Sequence, residues 1–283
     1  MEDRMAFTLA STVTLNNGVQ MPVFGLGAYH LAETEAGTMA VVQEAVSLGY
    51  RLIDTATAYG NEEAIGRGLR ESGVPRRELF VTTKVWTDEQ GEEETPRALQ
   101  RSLTRLGLSY VDLYLIHWPA VGRWQSAWRA MLALLETGQC RAIGVSNFGI
   151  PHLDALRQIS TLLPAVNQIE CTPFRHAPDL LAYCRDHGIQ VEAYSPLTRG
   201  AKFGHPVLLK IAQAHGKTPA QVLIRWGLDH RIVEIPKASS SAHLRENTEV
   251  FDFGLTAGEM QALDGLHEGF SINNPEWTAQ FAE

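Results

Sequence analysis

The chain has 283 residues, 45% of them apolar, with 24 Lys and Arg against 32 Asp and Glu and a formal net charge of −8. That length suits one α/β barrel and supplies enough apolar side chains for a large core. The charge balance argues against the broad basic face of a nucleic-acid binder, and no run reaches the ~20 apolar residues of a membrane span.

Met1–Arg4 reads as a disordered start, with Met5 as a second available initiator. Met1–Ala10 lacks the apolar core and cleavage site of a signal peptide. Thr12–Leu15 and Val19–Val23 flank Asn16-Asn17-Gly18, which predicts a hairpin with Asn-Gly in the turn. Short apolar runs then alternate with helical patterns. The expected strands are Val23–Gly27, Arg51–Asp54, Phe80–Lys84, Val111–His117, Ala142–Ser146, Ala165–Glu170, Gln190–Ser195 and Ile232–Pro236. Helical spacing covers Glu33–Leu48, Glu62–Ser72, Glu92–Leu106, Trp124–Thr137, Pro151–Ile159 and Pro178–His187. Gly49, Gly73, Gly107, Gly138 and Gly188 stand where helix ends need them. Val207–His230 has room for two helices, the second opened by Thr218-Pro219. Repeated β-then-α units without a composition break predict a closed parallel (β/α)8 TIM barrel, an α/β fold forming a single domain over residues 1–283.

The cysteines Cys140, Cys171 and Cys184 are widely spaced and form no C-x-x-C pair, which predicts reduced thiols, no metal site and a cytoplasmic location. The early Gly25-Leu26-Gly27-Ala28-Tyr29-His30 lacks the third glycine of a Rossmann turn. The chemistry is therefore sought where barrels place it, at the carboxyl ends of the strands.

Asp54 closes the second expected strand, Tyr59 lies in the following loop, and Lys84 and His117 close the next two. Carbonyl reduction needs a hydride and a proton. A tyrosine can give the proton if a nearby ammonium stabilises its phenolate, and a buried lysine keeps its charge only beside a carboxylate. A neutral histidine can orient the substrate oxygen. Singly, each residue has an ordinary explanation: a cap, a rim lysine, a surface tyrosine, a core histidine. Together on one rim they form a proton-delivery unit.

These stretches resemble the aldo-keto reductase family over nearly the whole chain. Gly49-Tyr50-Arg51-Leu52-Ile53-Asp54-Thr55-Ala56-Thr57-Ala58-Tyr59-Gly60-Asn61-Glu62 is similar to the family's signature around its catalytic Asp and Tyr. Val81-Thr82-Thr83-Lys84-Val85-Trp86 and Leu113-Tyr114-Leu115-Ile116-His117-Trp118-Pro119 resemble the stretches carrying the catalytic Lys and His. The pattern is most similar to bacterial members that reduce small aldehydes, dicarbonyls and keto-sugars, of the 2,5-diketo-gluconate reductase kind. The resemblance implies NAD(P)H-dependent reduction of aldehydes and ketones, a monomer, and no membrane or nucleic-acid partner.

It also implies a cofactor site. Ser146, Asn147 and Gln168 match the residues that bind the nicotinamide carboxamide; Tyr194 matches the tyrosine that stacks on its ring; Ser195 and Leu197 fall near the pyrophosphate. Lys237, Ser239, Ser240, His243, Glu246 and Asn247 fall at the adenosine end. There the chain departs from type, because Ala238 and His243 stand where the family commonly has the Ser and Arg that grip the 2′-phosphate of NADPH. Alanine offers no side-chain hydrogen bond and histidine no permanent forked charge. NADPH is expected with usable NADH activity, and Lys237, Ser239, Ser240 and Arg245 are the residues able to compensate. Tyr29, Trp86 and Trp118, with Phe148 nearby, are the implied pocket walls, and a tail from Gly269 to Glu283 is placed over the barrel mouth. Two rival readings stand beside this one: a non-catalytic NADP(H)-binding sensor, and a barrel hydrolase using Asp54 with Glu170.

Overall fold

The computed structural model describes residues 7–281. Met1–Arg4, Met5 and the last two residues of the tail lie outside the described residues. The hairpin pairs β1 (Thr12–Thr14) with β2 (Gln20–Pro22), Val13 opposite Met21, and Gly18 turns the chain at φ 86°.

Eight parallel strands follow: β3 (Gly25–Gly27), β4 (Leu52–Asp54), β5 (Phe80–Val85), β6 (Val111–Ile116), β7 (Cys140–Ser146), β8 (Val166–Glu170), β9 (Gln190–Tyr194) and β10 (Val233–Glu234). The expected first strand is shortened at its start because Phe24 instead bridges to Glu234 and closes the barrel. Gly27 is required at this seam, since a Cβ there would lie 2.6 Å from the Ile235 carbonyl oxygen.

The helices are α1 (Glu35–Ser47), α2 (Glu62–Glu71), α3 (Glu94–Leu106), α4 (Trp124–Glu136), α5 (Ile150–Ile159), α6 (Pro178–Asp186), α7 (Pro206–His215), α8 (Pro219–Asp229), α9 (Ser241–Thr248), α10 (Ala257–Asp264) and α11 (Pro275–Thr278). The five expected helix-end glycines all adopt left-handed φ, between 64° and 99°. Thr218 caps α8 through a reciprocal box with Gln221.

Parity along the strands positions the site. Leu52, Phe80, Leu113, Leu115, Ala142, Val166, Val233 and Ile235 form an apolar cluster inside the barrel, and Leu15 and Met21 of the hairpin region pack against it. The alternate strand residues, among them Ile53, Val81, Tyr114, Ile143 and Val191, pack outward with the helices. Every residue of β4, β5, β6 and β8 is buried, so the polar side chains these strands carry sit inside the protein and need partners there. With a side-chain period of two, each inward row runs from an apolar residue to a polar one: Leu52 to Asp54, Phe80 through Thr82 to Lys84, Leu115 to His117, Val166 to Gln168.

Candidate active site

The polar ends of four rows meet. The Lys84 ammonium donates to Asp54 Oδ1 at 2.5 Å, to the Thr55 carbonyl at 3.0 Å and to the Tyr59 hydroxyl at 3.2 Å. All three of its hydrogens are taken, and Tyr59 accepts one of them, so the Tyr59 hydrogen is left to point elsewhere. Lys84 and Asp54 are buried, at 0% and 2% exposure. Burial works against the Lys84 charge, but Asp54, followed by Tyr59, holds its pKa above the ordinary value. Burial raises Asp54, opposed by the charge and hydrogen bond of Lys84. Burial pushes the Tyr59 hydroxyl up to about 12, with Lys84 pulling the other way. The ammonium thus opposes the rise that burial imposes on this phenol.

His117 follows β6 and its ring meets Tyr59 edge-on, centroids 5.6 Å apart. Burial, then the Lys84 charge, lowers its pKa well below the usual imidazole range, so the ring is neutral. Its Nδ1 has no hydrogen-bond partner among the described residues.

Beside this group, Asn147 donates to the His117 carbonyl and to Ser146 Oγ, each at 3.0 Å, and accepts from the Tyr194 hydroxyl at 2.8 Å. Asn147 and Ser195 hold left-handed backbone at φ 65° and 51°. Strain of this kind persists where the surroundings over-determine it. Gln168 donates to Asp54 Oδ2 at 2.9 Å. A cavity of about 1080 Å³ begins at Tyr59 and His117 and passes Ser146, Asn147, Gln168 and Tyr194. It continues past Ser195 and Leu197 to Lys237, Ser239, His243, Glu246 and Asn247. The far end presents an unsatisfied buried donor. Asn247 is 2% exposed, lines the cavity, and its Nδ2 has no partner among the described residues.

Residues 23–268 match the aldo/keto reductase family. The chain belongs to the aldo/keto reductase family. It is 45% identical over 273 residues to a glyoxal reductase of Bacillus subtilis (strain 168), covering 96% of this chain and 99% of that one. It is 52% identical over 260 residues to an aldo-keto reductase of Mycolicibacterium vanbaalenii, covering 91% and 92%. The crystal structure of a Bombyx mori aldo-keto reductase in complex with NADP is similar, with TM-score 0.90, 33% identity and coverage of 96% and 97%. This aldo-keto reductase is an NAD(P)H-dependent oxidoreductase that reduces carbonyl groups.

Two expectations change at the far end of the reductase's cavity. Ser240 is not part of the cavity wall; its Oγ caps α9 by accepting from His243 N at 3.2 Å. Arg245 does not face the cavity either, because its Nη2 pairs with Glu44 Oε1 at 3.2 Å. Of the residues expected to compensate for Ala238 and His243, Lys237 and Ser239 line the cavity.

At the substrate end Tyr29, Trp86 and Trp118 line the cavity. Phe148 does not; it is 1% exposed and packs on Trp124 and His152 behind the wall. Residues of the tail line this end as well. Trp277 lies parallel to Trp86 at 6.3 Å between centroids and edge-on to Trp118 at 4.9 Å, and Phe281 packs on Trp118 at 5.0 Å.

Sequence reasoning missed how the tail is anchored. Glu170 accepts from Ser271 Oγ at 2.6 Å, Ile272 N at 2.9 Å and Asn273 Nδ2 at 3.2 Å, and pairs with Arg175 at 3.5 Å. A carboxylate so engaged is a fastener and not the free second carboxylate that the hydrolase reading needs. Asn273 was missed as well, since no local pattern marks it. Cys140, Cys171 and Cys184 are buried free thiols. No group of three or more His, Cys, Asp or Glu among the described residues is placed to hold a metal. None of the described helices is long and apolar enough to cross a membrane.

Proposed function

We propose that this reductase converts small uncharged or weakly polar aldehydes and dicarbonyls to alcohols, with Tyr59 as the proton donor. The observation that carries the reading is the threefold engagement of Lys84 with Asp54, Thr55 and Tyr59. The cofactor, when bound, supplies the hydride. Tyr59 delivers its free hydrogen to the carbonyl oxygen, and Lys84 stabilises the phenolate that remains. Asp54 keeps Lys84 charged. His117, neutral through burial, donates a ring N–H to the same oxygen and orients it.

Ser146, Asn147 and Gln168 hold the nicotinamide carboxamide. Gln168 offers its carbonyl oxygen, because its amide hydrogens already serve two carboxyl groups. Tyr194 packs the ring, and Ser195 and Leu197 border the pyrophosphate. Lys237, Ser239 and His243 face the 2′-phosphate, Ser240 shapes the start of α9, and Glu246 and Asn247 take the adenine. NADPH is the main cofactor and NADH is usable, since Ala238 and His243 offer less to the 2′-phosphate than a serine and an arginine would. Aromatic walls at Tyr29, Trp86, Trp118 and Trp277 favour uncharged carbonyl compounds. The similarity to a glyoxal reductase supports the small-substrate reading. The whole of residues 1–283 acts as one domain, as a cytoplasmic monomer.

The test is NADPH oxidation over a panel of small aldehydes, wild type beside Tyr59→Phe. Turnover in the wild type and its loss in the variant is expected. Bound cofactor with no turnover on any aldehyde sinks the reading and favours a sensor.

A further inference from the structure

The hydrogen-bond chain that starts at Tyr59 does not end at Asp54. Gln168 Nε2 gives one hydrogen to Asp54 Oδ2 at 2.9 Å and the other to Glu192 Oε2 at 2.6 Å. Glu192 stands on the inward row of β9, two residues before Tyr194, and is 0% exposed. Its other oxygen, Oε1, has no partner among the described residues. The charged and titratable groups around it are Asp54 on β4, Lys84 on β5, Glu234 on β10 and Tyr194 on its own strand. Lys84 is the one cation in this set, and it is already shared between Asp54 and Tyr59.

We propose that Glu192 is a positioning residue of the catalytic centre: as a neutral carboxylic acid it seats Gln168 against Asp54 and keeps the Tyr59–Lys84 pair electrically balanced, and its ionisation slows carbonyl reduction. The proposal rests on the reading of Tyr59 as proton donor. When Tyr59 gives up its proton, one ammonium faces two anions, the phenolate and Asp54. A third anion at Glu192, in the buried barrel interior, opposes that step. It also draws Gln168 toward itself and away from Asp54.

Burial, then the Asp54 charge, raises the Glu192 carboxyl to about 8, while Tyr59 is pushed to about 12. Below about 8 Glu192 is neutral; rising pH ionises it and adds negative charge beside the phenol. Reduction therefore falls with rising pH, and the limb that belongs to Glu192 is the one that disappears in a variant unable to ionise at this position.

The experiment is single-turnover NADPH oxidation as a function of pH in wild type, Glu192→Gln, Glu192→Leu and Tyr59→Phe. The wild-type rate is expected to fall about tenfold or more across that limb, the effect of one added buried charge. Glu192→Gln keeps an acceptor for Gln168 and cannot ionise, so its profile stays flat there. Glu192→Leu keeps no acceptor and slows the step at every pH. Infrared titration supplies a readout that does not depend on turnover. In a Glu234→Met background, which removes the neighbouring buried carboxyl, the protonated-carboxyl band of Glu192 must bleach over the same pH range. A wild-type profile in Glu192→Gln, or no bleaching, overturns the proposal while an inactive Tyr59→Phe leaves the Tyr59 reading standing. Full activity in Tyr59→Phe defeats that reading, and the proposal with it.

Discussion

Asn273 donates its amide hydrogen to the Tyr194 hydroxyl at 2.8 Å, and that hydroxyl donates in turn to Asn147 at 2.8 Å. One chain of bonds thus joins the tail that lines the cavity to the residues proposed to face the nicotinamide. Tail position and cofactor-site geometry are held by the same phenol. Asn273→Ala removes the link and leaves Glu170 with Ser271 and Ile272. Its KM for aldehydes is expected to rise about tenfold, the scale of one or two lost hydrogen bonds, with a smaller change in kcat. Steady-state kinetics on one aldehyde at saturating NADPH checks this; a KM equal to wild type removes the tail from substrate binding.

Tyr59→Phe removes the transferable proton and the acceptor for one Lys84 hydrogen, and leaves the ring. Its kcat is expected to fall by roughly 10²–10⁴, the usual worth of a positioned acid. Cofactor affinity, followed by fluorescence titration, should change little by comparison. Equal losses in both would mean that the site is misformed and not merely deprived of its acid.

Lys84→Met leaves Asp54 buried without its cation. Breaking a buried pair on one side costs about 3–5 kcal/mol, so the variant should unfold at lower denaturant concentration. Adding Asp54→Asn should recover much of that stability and none of the activity. If the double variant is no more stable than the single one, the pair does not account for the loss.

His243→Arg restores a permanent forked charge at the adenosine end. The ratio of NADPH to NADH catalytic efficiency is expected to rise about tenfold, the value of one charge-assisted contact to phosphate. An unchanged ratio would place the 2′-phosphate away from residue 243.

Glu234 faces outward from β10 against Gly227 of α8, fully buried, with both oxygens unpartnered among the described residues. Burial, then the Glu192 charge, raises its pKa well above the ordinary carboxylate range. A raised folded-state pKa means that the folded protein holds a proton the unfolded chain releases. Its stabilising contribution is full below the ordinary carboxylate range and is lost as pH rises toward the folded value. Glu234→Met, of similar length and apolar, should flatten that fall and stabilise the protein near neutral pH by about 1–3 kcal/mol. Melting curves across pH decide it; a parallel fall in both proteins assigns the pH dependence to other groups, Glu192 among them.

Much of this molecule is legible in local pattern. The hairpin, eight strands and helices α1 to α8 follow from periods of two and 3.6, from Asn-Gly, and from glycine and threonine at helix ends. Helix α10 was missed, although Thr256 and Glu259 stand at the spacing of the capping box they form. Asp54, Lys84 and His117 could be singled out because they stand at strand ends, which a barrel brings to one rim. Glu192 was within reach by the same parity, two residues before Tyr194, but a single glutamate in an apolar run gives no sign of which partner it meets.

The order of residues by itself determined the barrel and the identity of the groups on its rim, because strand period, helix period and turn chemistry act over a few neighbouring residues. Only the tertiary structure decided what those groups do to one another. Arg245 is drawn to Glu44 across 201 positions, Glu170 fastens a tail about a hundred residues away, and Trp277 comes to lie against Trp86. The protonation of Tyr59, His117 and Glu192 depends on burial and on charges brought from other strands. Such terms vary with distance in space, and distance along the chain carries almost no information about them.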